Sequence, residues 1–382
     1  MDWSFWEWDT FLKDQDVVII GSGLVGLQAA LYLRQARPGF RITVLERGIL
    51  PLGASTRNAG FACFGSMTEL LDDLKTHTEE EIWELVDKRW KGLQKLRALI
   101  GDSVMDLDIS GGYELFRDQD EESFRECADK IDGFNGRFRQ ITGLPGIFQI
   151  WDHRLPETGF RGIRHLIRNS AEGQVHTGKL VLALFQKAKD AGIQVLNGAN
   201  VLKLEEEAGK VNIFLENNQR MEARQVLVAT NGFAARLFPQ LAVVPARNQV
   251  LITRELPGLP FHGTFHYDKG YVYFRNVGNR VLLGGGRNMD FETEQTDVLD
   301  LTEPIQNNLL RLLREIIIPG QPFEVERWWS GIMGLGPKKK TLIQSLSDRI
   351  HVAVRLGGMG VAIGSLVAEE GANLLLKENR GV

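Results

Sequence analysis

Between residues 16 and 46 the chain reads as strand, glycine turn, helix, strand and acid, and this stretch restricts the available folds more than any other. Residues 16–20, Asp-Val-Val-Ile-Ile, form a short apolar run of mostly β-branched side chains. That composition suits a central strand of a parallel sheet covered on both faces. Gly21-Ser22-Gly23-Leu24-Val25-Gly26 follows directly. In such a turn the first glycine permits the tight bend, the second keeps side chains out of the way of a pyrophosphate, and the third lets the helix pack close to the strand. The free N–H groups and positive dipole end of that helix favour a bound anion. The helical pattern covers residues 24–37, and Pro38-Gly39 stops it. A second strand, residues 41–45, delivers Glu46 twenty positions after Gly26. A carboxylate there can accept both hydroxyls of an adenosine ribose. The glycine triplet alone fits any strand-to-helix connection. Triplet, flanking elements and spaced acid together predict a bound adenine dinucleotide.

Length and composition narrow the class. At 382 residues the chain exceeds what one hydrophobic core usually serves, so two domains are expected. With 43% apolar and 25% charged residues it has the balance of an ordinary globular protein. A net charge of −4 and the absence of a long basic run argue against nucleic acid as a partner. Lys338-Lys339-Lys340 reads as a solvated loop. Cys63 and Cys127 offer neither a disulfide framework nor metal-ligand spacing, so no metal is expected, and a reducing, cytoplasmic setting fits. The start of the chain sets Trp3, Trp6 and Trp8 among Asp2, Glu7 and Asp9, which lacks the basic opening and continuous apolar run of a signal peptide. It is expected to be a hydrophobic strap packed on its own domain, with a membrane surface or a partner as the other reading. No apolar run reaches the ~18 residues of a transmembrane segment.

Further along, a polar loop (48–66) precedes helical patterns over 68–74 and 79–100. Short strands at 112–116 and 147–151 flank a charged helix at 119–134. Nucleotide-domain texture returns with a helix to Ala191, strands at 193–196, 201–205 and 211–215, and the strand 225–229 running into Thr230-Asn231-Gly232. Residues 243–329 are strand-rich with one helix at 303–318, and the chain closes as strand 350–354, glycine turn 357–360 and helix 361–377. The alternation predicts an α/β protein: a Rossmann-like dinucleotide-binding domain built from discontinuous segments (1–85, 171–240 and 330–382) with an inserted β-rich α+β substrate domain (86–170 and 241–329).

This order, together with Gly21 to Glu46, the loop Gly53-Ala54-Ser55-Thr56-Arg57-Asn58-Ala59-Gly60, Pro245-Ala246-Arg247-Asn248-Gln249 and the terminal glycine turn, resembles the FAD-dependent D-amino-acid oxidase-like family, the glycine oxidase, sarcosine oxidase and γ-glutamylputrescine oxidase group. The resemblance covers nearly the whole chain and implies noncovalent FAD. It adds Arg47, Ser55, Arg57, Asn58, Ala59 and Gly60 as flavin and pyrophosphate contacts, Val201 as the strand residue beside adenine, and Thr230, Asn231, Gly232 and Gly331 as cofactor-binding positions. It also makes Gly357, Gly358, Met359, Gly360 and Val361 the helix start that stabilises negative charge on reduced flavin.

The chemistry implied by the resemblance is oxidation of the C–N bond of a primary or secondary amine or amino acid, a hydride leaving carbon for flavin N5 and the imine then hydrolysing. O2 is the expected acceptor. Relatives that bind a carboxylate use an arginine where this chain has Met333, or a lysine where it has Ala362, and their oxygen-activating lysine falls near Leu282 or Leu283. Arg247, Tyr271, Tyr273, Arg287 and Met333 are the substrate-pocket candidates. Trp328 and Trp329 either roof the pocket or pack. No general base is required by this chemistry, and none of the seven histidines is assigned a catalytic role. Two alternatives stay open: a dehydrogenase of the same fold that passes electrons to a carrier, and a flavin-binding protein without amine turnover. A nicotinamide enzyme would share the first glycine turn but not the Arg57-Asn58 loop or the last turn.

Overall fold

In the computed structural model, which describes residues 3–207, 209–216 and 218–377, two eight-stranded sheets share the chain. The first is parallel at its centre. Gln15–Ile20 pairs with Ile42–Glu46 on one side and with Arg220–Val228 on the other, Ile350–Val354 adds beyond Arg220–Val228, and Gln194–Asn197 adds beyond Ile42–Glu46. The edge strand Leu342–Ser345 and the hairpin Val201–Glu207/Lys210–Leu215 are antiparallel. Val17, Val18 and Ile19 have no exposed surface, as a strand covered on both faces requires.

On one face of this sheet the helices Leu24–Ala36, Glu79–Ile100, Thr177–Asp190 and Gly360–Lys377 bury a continuous apolar cluster. The other face packs against the hairpin and the segment around Leu241 and Val243. Close approach depends on small residues. Gly21 adopts φ +107°, a region costly for any side chain. A Cβ on Gly26 would collide with the Gly21 carbonyl oxygen, and one on Gly92 would collide with that of Ala362. The helices 24–36 and 360–377 are tied further by the buried hydrogen bond from Ser365 Oγ to Gln28 Oε1 at 2.6 Å.

The second sheet is mainly antiparallel and runs Val325–Leu335, Val244–Thr253, Arg280–Gly285, Val272–Val277, Thr264–Tyr267, Gly112–Phe116, His165–Asn169, Phe148–Ile150. Only Thr264–Tyr267 and Gly112–Phe116 pair in parallel. Its core stacks Phe265 on Phe274, with Leu309, Leu312 and Leu313 of the helical segment after Glu303 packed over them.

Several sequence expectations need correction. The helix expected at 119–134 spans Glu121–Thr142, because Phe134 and Phe138 bury against Trp83 and Phe148 and this packing outweighs the helix-weakening Gly133 and Gly136. The boundary placed at 85/86 falls inside the helix Glu79–Ile100, whose Ile82, Val86, Leu93 and Leu96 all belong to the first sheet's core. The boundary at 330 falls inside the strand Val325–Leu335, which pairs with the second sheet to its end. The Trp-rich start is not a packed strap: Trp3 and Leu12 contact the domain, while Phe5, Trp6, Trp8 and Phe11 are exposed, Trp6 at 73%. They occupy a helical segment whose one inward stripe is already used by Leu12. Asp2 lies outside the described residues. Among the described residues no helix is long and apolar enough to cross a membrane.

Because the Gly26 contact is backbone against backbone, it cannot relax by rotating a side chain. G26A is expected to lower the stability of the fold by about 1–3 kcal/mol, the range for overpacking a tight contact, measured as a shift in the denaturant midpoint at unchanged slope.

Candidate active site

A cavity of about 480 Å³ runs from the glycine turn of the first sheet to the face of the second. At one end it is lined by Gly21, Gly23, Leu24 and Val25, so the start of the helix Leu24–Ala36 faces the space. The Ser55 hydroxyl caps that helix by accepting the Leu24 N–H at 2.9 Å. Glu46 also lines the cavity and is 6% exposed. Its two oxygens accept hydrogen bonds from Ser22 N and Oγ (3.2 and 2.8 Å) and from Gly48 N (3.1 Å), which fixes the carboxylate beside the turn. Val201 opens onto the same end.

The loop after Glu46, expected to be irregular, contains the one-turn helix Ala54–Arg57 and the short strand Phe61–Ala62. Asn58 staples it, donating from Nδ2 to the Ala54 and Ser55 carbonyls and accepting the Gly60 N–H through Oδ1. Arg57 reaches across to donate to the Ser330 carbonyl at 2.9 Å, and Trp329 Nε1 donates to the Arg57 carbonyl at 2.9 Å. Trp329 thus packs and holds the loop, and neither it nor Trp328 lines the cavity. Arg47, Ser55, Arg57, Asn58 and Ala59 do line it. The Arg47 guanidinium lies over the Phe233 ring at 3.9 Å, and burial together with nearby Arg236 pushes its pKa down.

At the far end Thr230, Asn231, Gly331, Gly357, Gly358, Met359, Gly360 and Val361 line the space. Asn231 Oδ1 accepts the N–H groups of Arg355 and Leu356 (3.1 and 3.2 Å), pinning the second glycine turn in front of the eighteen-residue helix Gly360–Lys377. Gly26, Gly60 and Gly232 sit behind the lining and serve packing: side chains on them would collide with Gly21, Val175 and Met333 carbonyl oxygens. Three buried polar atoms of cavity-lining residues, Thr230 Oγ1, Asn248 Oδ1 and His266 Nε2, make no hydrogen bond within the described protein. Two helix starts, the Glu46 carboxylate and unpartnered polar atoms around one cavity fit a dinucleotide.

On the second-sheet side the lining residues include Phe61, Cys63, Asn248, His266, Tyr271, Tyr273, Arg287 and Met333, with the charged group Glu69, Arg89 and Lys339 forming one rim of the lining. Met333 Sδ receives a long hydrogen bond from Asn248 Nδ2 at 3.5 Å. Phe61 meets the rings of Tyr273 and His266 edge-on, centroids 5.6 and 5.1 Å away. Burial raises the Tyr273 hydroxyl pKa and lowers that of His266 to about 4, so this imidazole is neutral. Arg287 lies over both Tyr271 and Phe291 at 5.2 and 5.1 Å. Burial depresses its pKa, and among the described residues no carboxylate pairs with it.

Arg247 is the sequence candidate that the structure removes from the pocket. It is 4% exposed and clamped by Glu294, which accepts from its Nε and Nη2 at 2.9 and 2.8 Å. It does not line the cavity. Lys338-Lys339-Lys340 is not a merely solvated loop either: Lys338 pairs with Glu81, and Lys339 pairs with Glu69 and Asp73 at 3.0 and 2.8 Å. Burial alone would lower the Lys339 pKa, but these two carboxylates raise it. His266, Cys63 and Glu69 were not among the site candidates read from the sequence, and Asn248 was quoted there only as part of a segment, since each converges on the cavity through contacts with segments far away in the chain.

The family model described as FAD dependent oxidoreductase matches residues 16–374. The Probable oxidoreductase OrdL of Rhizobium meliloti is 26% identical over 377 residues, covering 95% of this chain and 83% of its own. Among solved structures, glycine oxidase from Geobacillus kaustophilus superposes with a TM-score of 0.74 at 21% identity, covering 95% of this chain and 94% of its own. L-proline dehydrogenase from P. horikoshii gives 0.74 at 17% identity, covering 96% and 94%. The two superpositions establish the fold.

The rim carries a pH signature. Burial would raise the Glu69 carboxyl, but Arg89 at 3.3 Å and Lys339 override it and hold its pKa at about 2, below its ordinary 4.5. A depressed folded-state pKa contributes stability that is complete above the ordinary value and lost as pH falls through the folded one. Between pH 4.5 and 2 the protein should therefore lose about 3 kcal/mol at this site. E69Q should be less stable near neutrality and show a flatter stability profile across that window in denaturant titrations.

Proposed function

The chain belongs to the FAD-dependent oxidoreductase family, and from that premise we propose that it oxidises the C–N bond of an amine or amino acid, most readily one that carries a carboxylate. One observation carries this reading: the cavity that opens on both helix starts also holds, on its second-sheet side, the desolvated Arg287 without a carboxylate partner among the described residues. The half-buried guanidinium of Arg287 lies over Tyr271 and Phe291 and is partly stripped of water, and an anionic substrate group would supply the missing counterion through a two-pronged hydrogen bond. Arg287 stands in for the arginine that Met333 replaces.

The residues divide the work. The glycine turn, Glu46, Ser55 and the Arg57-Asn58 loop would hold the dinucleotide, with Arg47 and Arg57 offsetting its phosphate charge. When bound, FAD supplies the two-electron acceptor that takes the hydride at N5. The start of the helix Gly360–Lys377 would favour the negative charge that then develops nearby. Arg287 with Tyr271 and Tyr273 would orient the substrate, and Phe61 and Met333 would exclude water from the reacting carbon. The amine enters the reaction after losing its ammonium proton, and the imine product hydrolyses on release.

O2 is the acceptor in this proposal. A second reading, transfer to an electron carrier, is favoured by Leu282 and Leu283, which are apolar and buried where the resemblance sets an oxygen-activating lysine in oxidases.

Anaerobic mixing with a panel of amines and amino acids should bleach the flavin absorption with at least one carboxylate-bearing member, and failure of every member would overturn the reading. R287M should raise the KM for that substrate about tenfold to a hundredfold, the worth of a charged hydrogen bond, with less effect on uncharged amines. Rapid bleaching followed by slow peroxide formation in air would select the carrier over O2.

A further inference from the structure

Below the substrate side of the cavity three donor groups from distant parts of the chain converge. The short antiparallel pair Phe61–Ala62 with Gly173–Gln174 brings Cys63 beside Glu172. On the strand Thr264–Tyr267, Thr264 and His266 share one face, and Thr264 Oγ1 lies 3.8 Å from Cys63 Sγ, which sets His266 alongside. The thiol sulfur, a carboxylate oxygen and an imidazole nitrogen all lie within 4.8 Å of one another.

We propose that Cys63, Glu172 and His266 form a binding site for one divalent transition-metal ion of zinc-like softness. The donor set is a thiolate, a carboxylate and an imidazole, the mixture that zinc accepts in sites with three protein ligands and one open position. Cys63 and His266 both line the cavity, so water from that side supplies the fourth ligand. The groups around the site are already arranged to support it. Glu172 Oε1 accepts the N–H groups of Phe64 and Gly65 at 2.7 and 3.0 Å, which fixes the carboxylate. A side chain at Gly112 would collide with its other oxygen, Oε2. Phe61 fixes the imidazole plane edge-on, and His266 Nε2 is buried without a hydrogen bond in the described protein.

That unpartnered nitrogen separates this site from a purely structural cluster. The Cys63 thiol hydrogen-bonds the Glu172 carboxylate, which satisfies that pair and still leaves His266 Nε2 without a hydrogen bond in the described protein, whereas an ion would use a donor atom of all three residues. Binding exchanges charge without redox change: the thiol and the carboxyl lose their protons to solvent, and the two anions balance the dication, so the buried site stays neutral. Spacing along the chain gave no ligand pattern because the three residues are 109 and 94 positions apart.

This inference is independent of the amine-oxidation proposal, and the test reads metal and flavin separately. Flavin-loaded protein is stripped with chelator, desalted and titrated with Co2+, then assayed by elemental analysis and by absorption at wavelengths beyond the flavin bands. The expected result is about one ion per chain with thiolate-type ligand-field bands, retained in C127A and absent in C63A. C63A and H266A should bind Zn2+ about 100-fold more weakly or worse. Zn2+ should also raise the Tm of the unmodified protein but not of these variants. Substoichiometric Co2+ in the unmodified protein, or equal retention by C63A and H266A that keep their flavin and circular dichroism, would overturn the site. Should C63A fail to fold, the stoichiometry of the unmodified protein and of C63S decides.

Discussion

The contact between the start of the first helix and the end of the first strand governs the rest of the molecule. With Gly21 at φ +107° and no side chain on Gly26, the helix Leu24–Ala36 lies directly against the Gly21 carbonyl. That placement aims the helix start at the cavity, brings Ser22 under the Glu46 carboxylate and puts the Leu24 N–H within reach of Ser55. A larger residue at either position would tilt the helix, and the anion-favouring end of its dipole would no longer face the cavity.

The second sheet is joined to this frame by a few polar ties that run through the loop 53–60. Arg57 is held by Ser330, and Trp329 is held by the Arg57 carbonyl, so the loop is clamped between sheets rather than left to solvent. The last helix is joined by Asn231, whose side chain takes both backbone N–H groups before the glycine turn. These ties are short hydrogen bonds between segments separated by more than a hundred residues, and they make one cavity out of two sheets. The rim adds charge: Glu69, Asp73, Arg89 and Lys339 neutralise one another, whereas Arg287 stays unmatched.

Much of this was legible beforehand. Strand, turn and helix signals placed the first βαβ unit and the terminal strand, turn and helix within a residue or two, because β-branched runs, glycine turns and proline stops act locally, whereas the strands His165–Asn169 and Leu342–Ser345 were missed and the strand expected at 225–229 starts at Arg220. The positions of Gly21, Gly23 and Glu46 along the cavity followed from the same local logic. The substrate side did not. Arg247 lies within the strand Val244–Thr253 and Arg287 just after the strand Arg280–Gly285, and neither position marks which arginine is free, yet Glu294 reaches Arg247 from a short helix after the next strands and buries it. Nothing within several residues of either arginine carries that information.

The sequence by itself determined the α/β class, the dinucleotide turn and the apolar identity of the position where relatives carry an arginine, since each is a matter of residue type and near-neighbour spacing. Only the tertiary structure decided which charged groups are paired and which are left facing the cavity, and that the aromatic side chains of Phe5, Trp6, Trp8 and Phe11 lie on the surface. Only it brought Cys63, Glu172 and His266 together. The physical reason is the same throughout: pairing, burial and convergence depend on contacts between strands far apart in the chain, and a periodicity read along one segment has no access to what the facing segment supplies.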